Sequence, residues 1–287
     1  MITSASNKKI KNVMLLLTKS RERKKQKCFV TEGVKMFLEA PVSWILEIYV
    51  SEGFEKEISG QPLPKKDERG ILRENGLIQV RQKLSELSGQ GEIFVEIVKE
   101  ELFQKMSDTQ TPQGILCVLK IPEYQMNDFV QIPAAQKGLY LILEDIQDPG
   151  NLGTMLRFGE GAGMTGVIMS RNTVDIFNPK TIRATMGSIY RVPFLYTDNL
   201  EESIGRLREN GIRTYAAHLS GTKAYDREDF REAVAFLIGN EGNGLSERIA
   251  ELADAYLKIP MLGQVESLNA AIAAALFLYE AARQRRI

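Results

Sequence analysis

Residues 259–269, I-P-M-L-G-Q-V-E-S-L-N, crowd Glu266, Ser267 and Asn269 between an apolar run ending at Ile259-Pro260 and a long Ala-rich helical pattern. Polar side chains set between apolar elements need partners once buried. A ligand or a reacting group is one way to supply them. Two further segments have the same character. N-L-G-T-M-L-R (151–157) puts Asn151 where a helix begins and Arg157 about one and two-thirds turns later. L-I-G-N-E-G-N-G-L (237–245) sets Glu241 among three glycines after an apolar run. Such small residues let the backbone approach a ligand or another segment closely.

Each segment also has a plainer reading. Asn151, Ser267 and Asn269 are good helix caps, Arg157 is an ordinary surface cation, and Glu241 suits the backbone donors of a glycine turn. The glycine segment lacks the Gly-Lys-Ser/Thr of a P-loop and the spacing of a dinucleotide fingerprint. G-E-G-A-G at 159–163 follows a helical pattern rather than a strand, so it reads as a helix C-terminus.

The elements around these segments alternate. From residue 139 the chain gives strand L-Y-L-I-L, helix 150–162, strand G-V-I-M-S, and a helix capped by Asn178 with Pro179 in its first turn. Strand V-P-F-L-Y, helix 199–209, strands R-T-Y-A-A, V-A-F-L-I-G and A-Y-L-K-I-P, and a helix from about 268 to 285 complete it. Short apolar strands between helices predict a mostly parallel sheet covered on both faces. In such sheets ligands bind beyond the carboxyl ends of the strands, where all three polar segments fall. The first hundred residues read as a smaller α/β unit: a helix over 10–17, C-F-V-T-E-G as a strand entering a helix, and a helix-to-strand passage over 42–49. Residues 60–70 read as a loop, and 78–81 and 94–98 as strand and helix fragments whose type the pattern leaves open. The turn-rich stretch 107–114 predicts a boundary, giving domains 1–107 and 108–287 with strand 115–119 in the second.

Bulk features exclude several classes. Cys28 and Cys117 are too few for a disulfide framework or a cysteine metal site, and lone His218 is too few for a histidine zinc site or a catalytic triad. No metal is expected. No 18-residue uncharged apolar run exists and the first residues lack the core of a secretory signal, so no membrane span is expected and the cytoplasm is the expected compartment. Net charge is zero, yet Lys8, Lys9, Lys11, Lys19, Arg21, Arg23, Lys24, Lys25 and Lys27 face only Glu22 before residue 28. That footprint suits phosphate contact, or else a solvated helix face.

Taken together, the segments resemble the motifs of the SpoU/TrmH family of RNA ribose 2′-O-methyltransferases. N-L-G-T-M-L-R, R-A-T-M-G-S-I-Y-R-V-P (183–193), L-I-G-N-E-G-N-G-L and I-P-M-L-G-Q-V-E-S-L-N follow the family's order over residues 139–287, and R-E-R-K-K-Q-K-C-F-V-T-E-G resembles its RNA-binding substrate domain. The resemblance implies a deep C-terminal trefoil knot, a rare exception to ordinary chain threading. It also implies S-adenosyl-L-methionine as methyl donor and a homodimer. By motif position Gly239, Ile259 and Leu268 would line the donor pocket, while Asn151, Arg157, Glu241, Ser267 and Asn269 would form the catalytic cluster. Lys8, Lys9, Lys19, Arg21, Arg23, Lys24 and Lys25 would meet structured RNA. Ribosomal RNA is the expected substrate, with transfer RNA, a non-catalytic RNA-binding module, or an enzyme of another adenine cofactor as alternatives.

The chemistry constrains the arginine. Neutral arginine at pH 7, from a solution pKa of ~12.5–13.8, costs roughly 7–9 kcal/mol. General-base catalysis returns about 10²–10⁴-fold, or ~3–5 kcal/mol. Arg157 is therefore expected to grip a phosphate rather than to accept a proton.

Overall fold

The computed structural model describes residues 1–60, 68–89, 93–131 and 137–286. The chain divides into two compact units, Met1–Pro122 with Phe177–Pro179, and Glu123–Ile176 with Lys180–Ile287.

The first unit opens with α1 (Lys8–Thr18) and α2 (Ser20–Gln26), then β1 (Cys28–Glu32) and α3 (Val34–Glu39). β2 (Ile45–Ser51), α4 (Glu52–Ile58) and α5 (Glu68–Gly89) follow, then β3 (Phe94–Val98), α6 (Glu100–Met106) and β4 (Ile115–Lys120). Its four strands run in the order β1-β4-β2-β3. The fragment at 78–81 is part of α5, and 94–98 is β3, one of the two edge strands. Most of the loop expected over 60–70 lies outside the described residues, and 68–70 are helical.

One sequence expectation is corrected here. Strand 115–119 does not open the second domain: β4 is antiparallel to both β1 and β2, pairing Cys117 with Thr31 and with Ile48. Its run Ile115–Leu119 is wholly buried. An apolar strand flanked by two others satisfies both of its hydrogen-bonding edges in that sheet. The chain therefore passes from one unit to the other after Pro122.

The second unit begins with α7 (Asn127–Val130), β5 (Leu139–Leu143), α8 (Pro149–Gly161) and β6 (Gly166–Ser170). α9 (Pro179–Thr185), β7 (Phe194–Thr197), α10 (Leu200–Glu209), β8 (Arg213–Ala217) and β9 (Lys223–Ala224) come next. β10 (Val234–Ile238), α11 (Glu247–Ala250), β11 (Ala255–Lys258) and α12 (Ala270–Arg285) end it. The strand order is β7-β6-β5-β10-β8-β11-β9, and each pair is parallel. Every residue of β5 and β10 is buried, as continuous apolar strands covered on both faces must be. Tyr140, Ile142 and Leu237 pack with Leu200, Ile204 and Leu207 of α10. Residues of opposite parity meet α12, where Phe277 lies 5.2 Å from Phe236.

The last turn of α12 is tied down by two side chains. Arg285 donates to the carbonyls of Phe230 (2.9 Å), Lys137 (2.8 Å), Gly138 (3.2 Å) and Glu232. Gln284 donates to the Glu228 carbonyl and accepts from the Phe230 amide. Burial pulls the Arg285 guanidinium below its ordinary value, against the pull of Glu232. Four carbonyls on one cation make a strong clasp, since charged hydrogen bonds are the larger ones. Arg285→Ala is expected to cost about 2–4 kcal/mol, read as a lower urea midpoint. An unchanged midpoint would contradict the clasp.

Candidate active site

Two loops at the carboxyl ends of neighbouring strands β5 and β10 are stapled together by polar side chains. Glu144 accepts from the Ser246 amide (2.7 Å) and hydroxyl (2.6 Å). Asn240 Nδ2 donates back to the Asp145 carbonyl at 2.8 Å. Glu241 Oε2 accepts from the Gln147 amide and its Oε1 from the Asp148 amide, both at 3.0 Å. The carboxylate thus satisfies backbone donors, as its plainer reading had it, but those of a loop more than ninety residues away in sequence. Asp145 sits at φ 54°, in the left-handed region that side chains rarely adopt. Ser170 braces it, donating to Asp145 Oδ1 (2.7 Å) while accepting from its amide (2.8 Å).

The same loop launches α8. Asp148 is its N-cap, accepting from the Asn151 amide at 2.8 Å, with Pro149 in the first turn. A proline there forfeits no hydrogen bond. That Asn151 amide bond and Lys180 hold the Asp148 carboxyl below its ordinary value, against burial. From α8 the Asn151 side chain donates to Glu241 Oε1 (3.0 Å) and accepts from Asn269 Nδ2 (3.0 Å). Asn269 is the N-cap of α12, accepting from the amides of Ala271 and Ile272. A continuous relay, Asn269 to Asn151 to Glu241, therefore joins the three sequence segments. Burial raises the Glu241 carboxyl, but donation from Asn151, Gln147 and Asp148 outweighs it and leaves the pKa lowered.

Arg157 stands two turns along α8, exposed, with no hydrogen-bond or ion-pair partner among the described residues. Its helix face is fixed on both sides. A Cβ on Gly153, four residues earlier, would meet the Thr181 carbonyl at 2.5 Å and Ala184 Cβ at 2.6 Å, so α8 lies directly on α9. Glu160, three residues later, accepts from Ser188 (2.8 Å) and Arg191 (2.6 Å). An unpaired guanidinium on a braced helix is ready for an anion from outside.

Beside the relay lies a cavity of about 490 Å³ at the ends of β8, β10 and β11, within the ~300–1,000 Å³ of ligand pockets. Gly239, Ile259 and Leu268 line it, as do Glu241 and Ser267. Ser267 is exposed and makes no hydrogen bond among the described residues, so it is neither cap nor relay member. Gly239 serves its own loop: a Cβ there would lie 2.1 Å from Gly244 C and Leu245 N. Asp145, Gln147, Asp148 and Asn240 escaped the sequence reading, and His218, set aside there as too few for zinc or a triad, lines the cavity. The strand-end acids before Asp-Pro-Gly were the available signal for the first three.

In the basic run, Lys8, Lys19, Arg21, Lys24 and Lys25 are exposed, while Lys9 pairs with Glu96 at 2.7 Å. Arg23 is a correction. It is 3% exposed and donates to the carbonyls of Leu16 (2.6 Å) and Leu17 (3.2 Å), the unsatisfied last turn of α1. Among the described residues no cluster of His, Cys, Asp and Glu has the makings of a metal site, and no helix is long and apolar enough to cross a membrane.

Comparison with known proteins matches this arrangement. Residues 138–279 fit the SpoU rRNA methylase family and residues 7–117 the MRM3-like substrate-binding domain. The 23S rRNA (guanosine(2553)-2′-O)-methyltransferase RlmP of Bacillus subtilis is 34% identical over 278 residues, 97% of each chain. A crystal structure of an rRNA methyltransferase from Sinorhizobium meliloti superposes with TM-score 0.80 at 28% identity, covering 98% of this chain and 96% of that one. A crystal structure of AdoMet-bound rRNA methyltransferase from Sinorhizobium meliloti gives 0.78 at 28% identity, covering 98% of this chain and 97% of that one. With a relative 34% identical over 97% of both chains, the chain belongs to the SpoU rRNA methylase family.

Proposed function

We propose that the protein is a cytoplasmic S-adenosylmethionine-dependent RNA methyltransferase that modifies a ribose 2′-hydroxyl in ribosomal RNA. The observation that carries this is the unpaired Arg157 guanidinium on a helix that Asn151 ties to Glu241, a residue lining a cavity of cofactor size. S-adenosylmethionine supplies a methyl group on a positively charged sulfur. The cavity suits it: Ile238, Leu245, Leu257 and Ile259 offer apolar walls, and Gly239 and Leu268 complete the lining.

Arg157 grips a phosphate of the target nucleotide bidentately and so fixes the ribose. The proton of the attacking hydroxyl passes to that phosphate, whose charge the guanidinium balances. Asn151, held between Glu241 and Asn269, sets the start of α8 and hence the reach of Arg157. Glu241 is spent on three donors, which suits it to positioning rather than to proton transfer.

The first unit delivers the RNA through Lys8, Lys19, Arg21, Lys24 and Lys25. Replacing Lys24 and Lys25 together by alanine is expected to weaken RNA binding and flatten the slope of log K against log salt by about 1–2. Arg23→Ala should leave that slope alone and lower stability by ~1–3 kcal/mol, having orphaned two carbonyls. Filter binding across a salt series with a parallel melt checks both. A slope flattened by Arg23→Ala would return that residue to the RNA surface.

The working unit is a homodimer, and the C-terminal chain is threaded as a trefoil knot. Supporting the dimer, α12 leaves Ile272 and Tyr279 46% and 45% exposed one side of the helix, with Leu276 half-buried between them. Apolar side chains at i, i+4 and i+7 make one stripe, and it starts beside Asn269. Transfer of tritiated methyl groups to purified ribosomal and transfer RNA tests the whole reading. Label in ribosomal RNA is expected. Label confined to transfer RNA would change the substrate, and none in either would remove the activity.

A further inference from the structure

The cavity is also lined by the imidazole of His218, which the relay does not use. β8 ends at Ala217, and His218 keeps one more bond to the neighbouring strand, its amide donating to the Leu257 carbonyl at 2.9 Å. The chain then turns, Gly221 N donating to the His218 carbonyl at 3.0 Å. The turn is pressed onto β11, since a Cβ on Gly221 would lie 2.7 Å from Leu257 C and Lys258 N. The ring is held as firmly. Its Nδ1 accepts from the Ser220 amide at 3.2 Å, and its centroid lies 5.0 Å from that of Tyr256. A neutral imidazole whose Nδ1 accepts carries its proton on Nε2. That Nε2–H has no partner among the described residues, and His218 lines the cavity.

Strand order and the lining together say which arm of the cofactor lies there. Asn151 and Arg157 follow β5, Glu241 follows β10, and β8 lies on the far side of β10 from β5. With the sulfonium methyl directed toward Arg157, one of the two arms carried by the sulfur reaches the β8–β11 flank. Ala217, Leu219, Leu257 and Met261 line that flank, which suits the faces of a purine better than a zwitterionic tail. A purine in an apolar slot still presents edge acceptors that need a donor. We infer that His218 is a cofactor-positioning residue whose Nε2–H donates to an acceptor atom of the adenosine half of S-adenosylmethionine. The inference rests on the methyltransferase reading above and adds the residue that orients the donor within its pocket.

The single histidine makes the test direct. Long-range ¹H–¹⁵N spectra of the full-length labelled protein report one imidazole, and the Nε2–H tautomer is expected. Adding 5′-methylthioadenosine, which has the adenosine half and no amino-acid tail, should shift the Nε2 signal. In calorimetry His218→Asn keeps an oxygen for the Ser220 amide but loses the outer donor. It should bind S-adenosylmethionine and 5′-methylthioadenosine each roughly 3–10-fold more weakly. His218→Gln, whose amide nitrogen reaches further, should recover part of that affinity. The rate at saturating S-adenosylmethionine should stay within about 2-fold, a Kd effect without a kcat effect. The Nδ1–H tautomer, a signal unmoved by 5′-methylthioadenosine, or a loss confined to S-adenosylmethionine would overturn the assignment. A wild-type protein that binds neither compound overturns the methyl-donor reading and this one with it. Binding of both, undiminished in His218→Asn, overturns the histidine assignment alone.

Discussion

Arg157→Lys is expected to lower kcat about 10²-fold, and Arg157→Ala about 10³-fold, the range found when one donor to developing charge is removed. Lysine keeps the charge but loses the planar fork that grips two oxygens of one phosphate. Its effect therefore separates bidentate grip from simple attraction. Arg157 does not line the cavity, so the dissociation constant for S-adenosylmethionine should change less than about 2-fold while single-turnover rates fall. The geometry makes the substitution a clean test. Gly153 on α9 and Glu160 on Ser188 and Arg191 hold the helix on either side of Arg157, without using its guanidinium. Near wild-type turnover by Arg157→Lys would count against the clamp.

Glu241→Gln probes the scaffold. The carboxylate accepts from Gln147 N, Asp148 N and Asn151 Nδ2, and an amide has only one oxygen to offer. At least one backbone donor then faces an NH₂ group, at a cost of about 1–3 kcal/mol. Because these bonds fix the start of α8, kcat should fall about 10–10²-fold through misplacement of Arg157, together with a lower melting temperature. The pH dependence carries a sign. The folded Glu241 carboxyl lies below its ordinary 4.5, so its stabilisation is complete above that value and is lost as pH falls through the folded pKa. The stability gap between wild type and Glu241→Gln should accordingly narrow from pH 6 towards pH 3. A gap constant over that range would show that the charge on Glu241 does not hold the loops.

Local signals carried much of this structure in the sequence. The order of the longer strands and helices from residue 139 read correctly, the short β9 and α11 being missed, because most strands of a covered parallel sheet are short continuous apolar runs. The start of α12 was legible in Asn269, whose cap needs only the following amides. What escaped depends on distant pairing. The Glu241 carboxylate sits in a glycine turn, but its partners come from the loop after β5, and only strand order brings the two together. Arg23 looked like its basic neighbours, yet the end of α1 needed a buried donor and took it. β4 followed a turn-rich stretch that resembled a boundary, though two strands upstream were waiting to pair with it. His218 seemed too solitary for chemistry until strand order put it beside the cavity.

The most direct test of the central claim is nucleoside mass spectrometry of ribosomal RNA treated with the enzyme and S-adenosylmethionine, then digested completely. A single 2′-O-methylated nucleoside, absent after treatment with Arg157→Ala, is the predicted product. Methyl groups on bases with every ribose oxygen bare, or equal product from Arg157→Ala, would contradict the account.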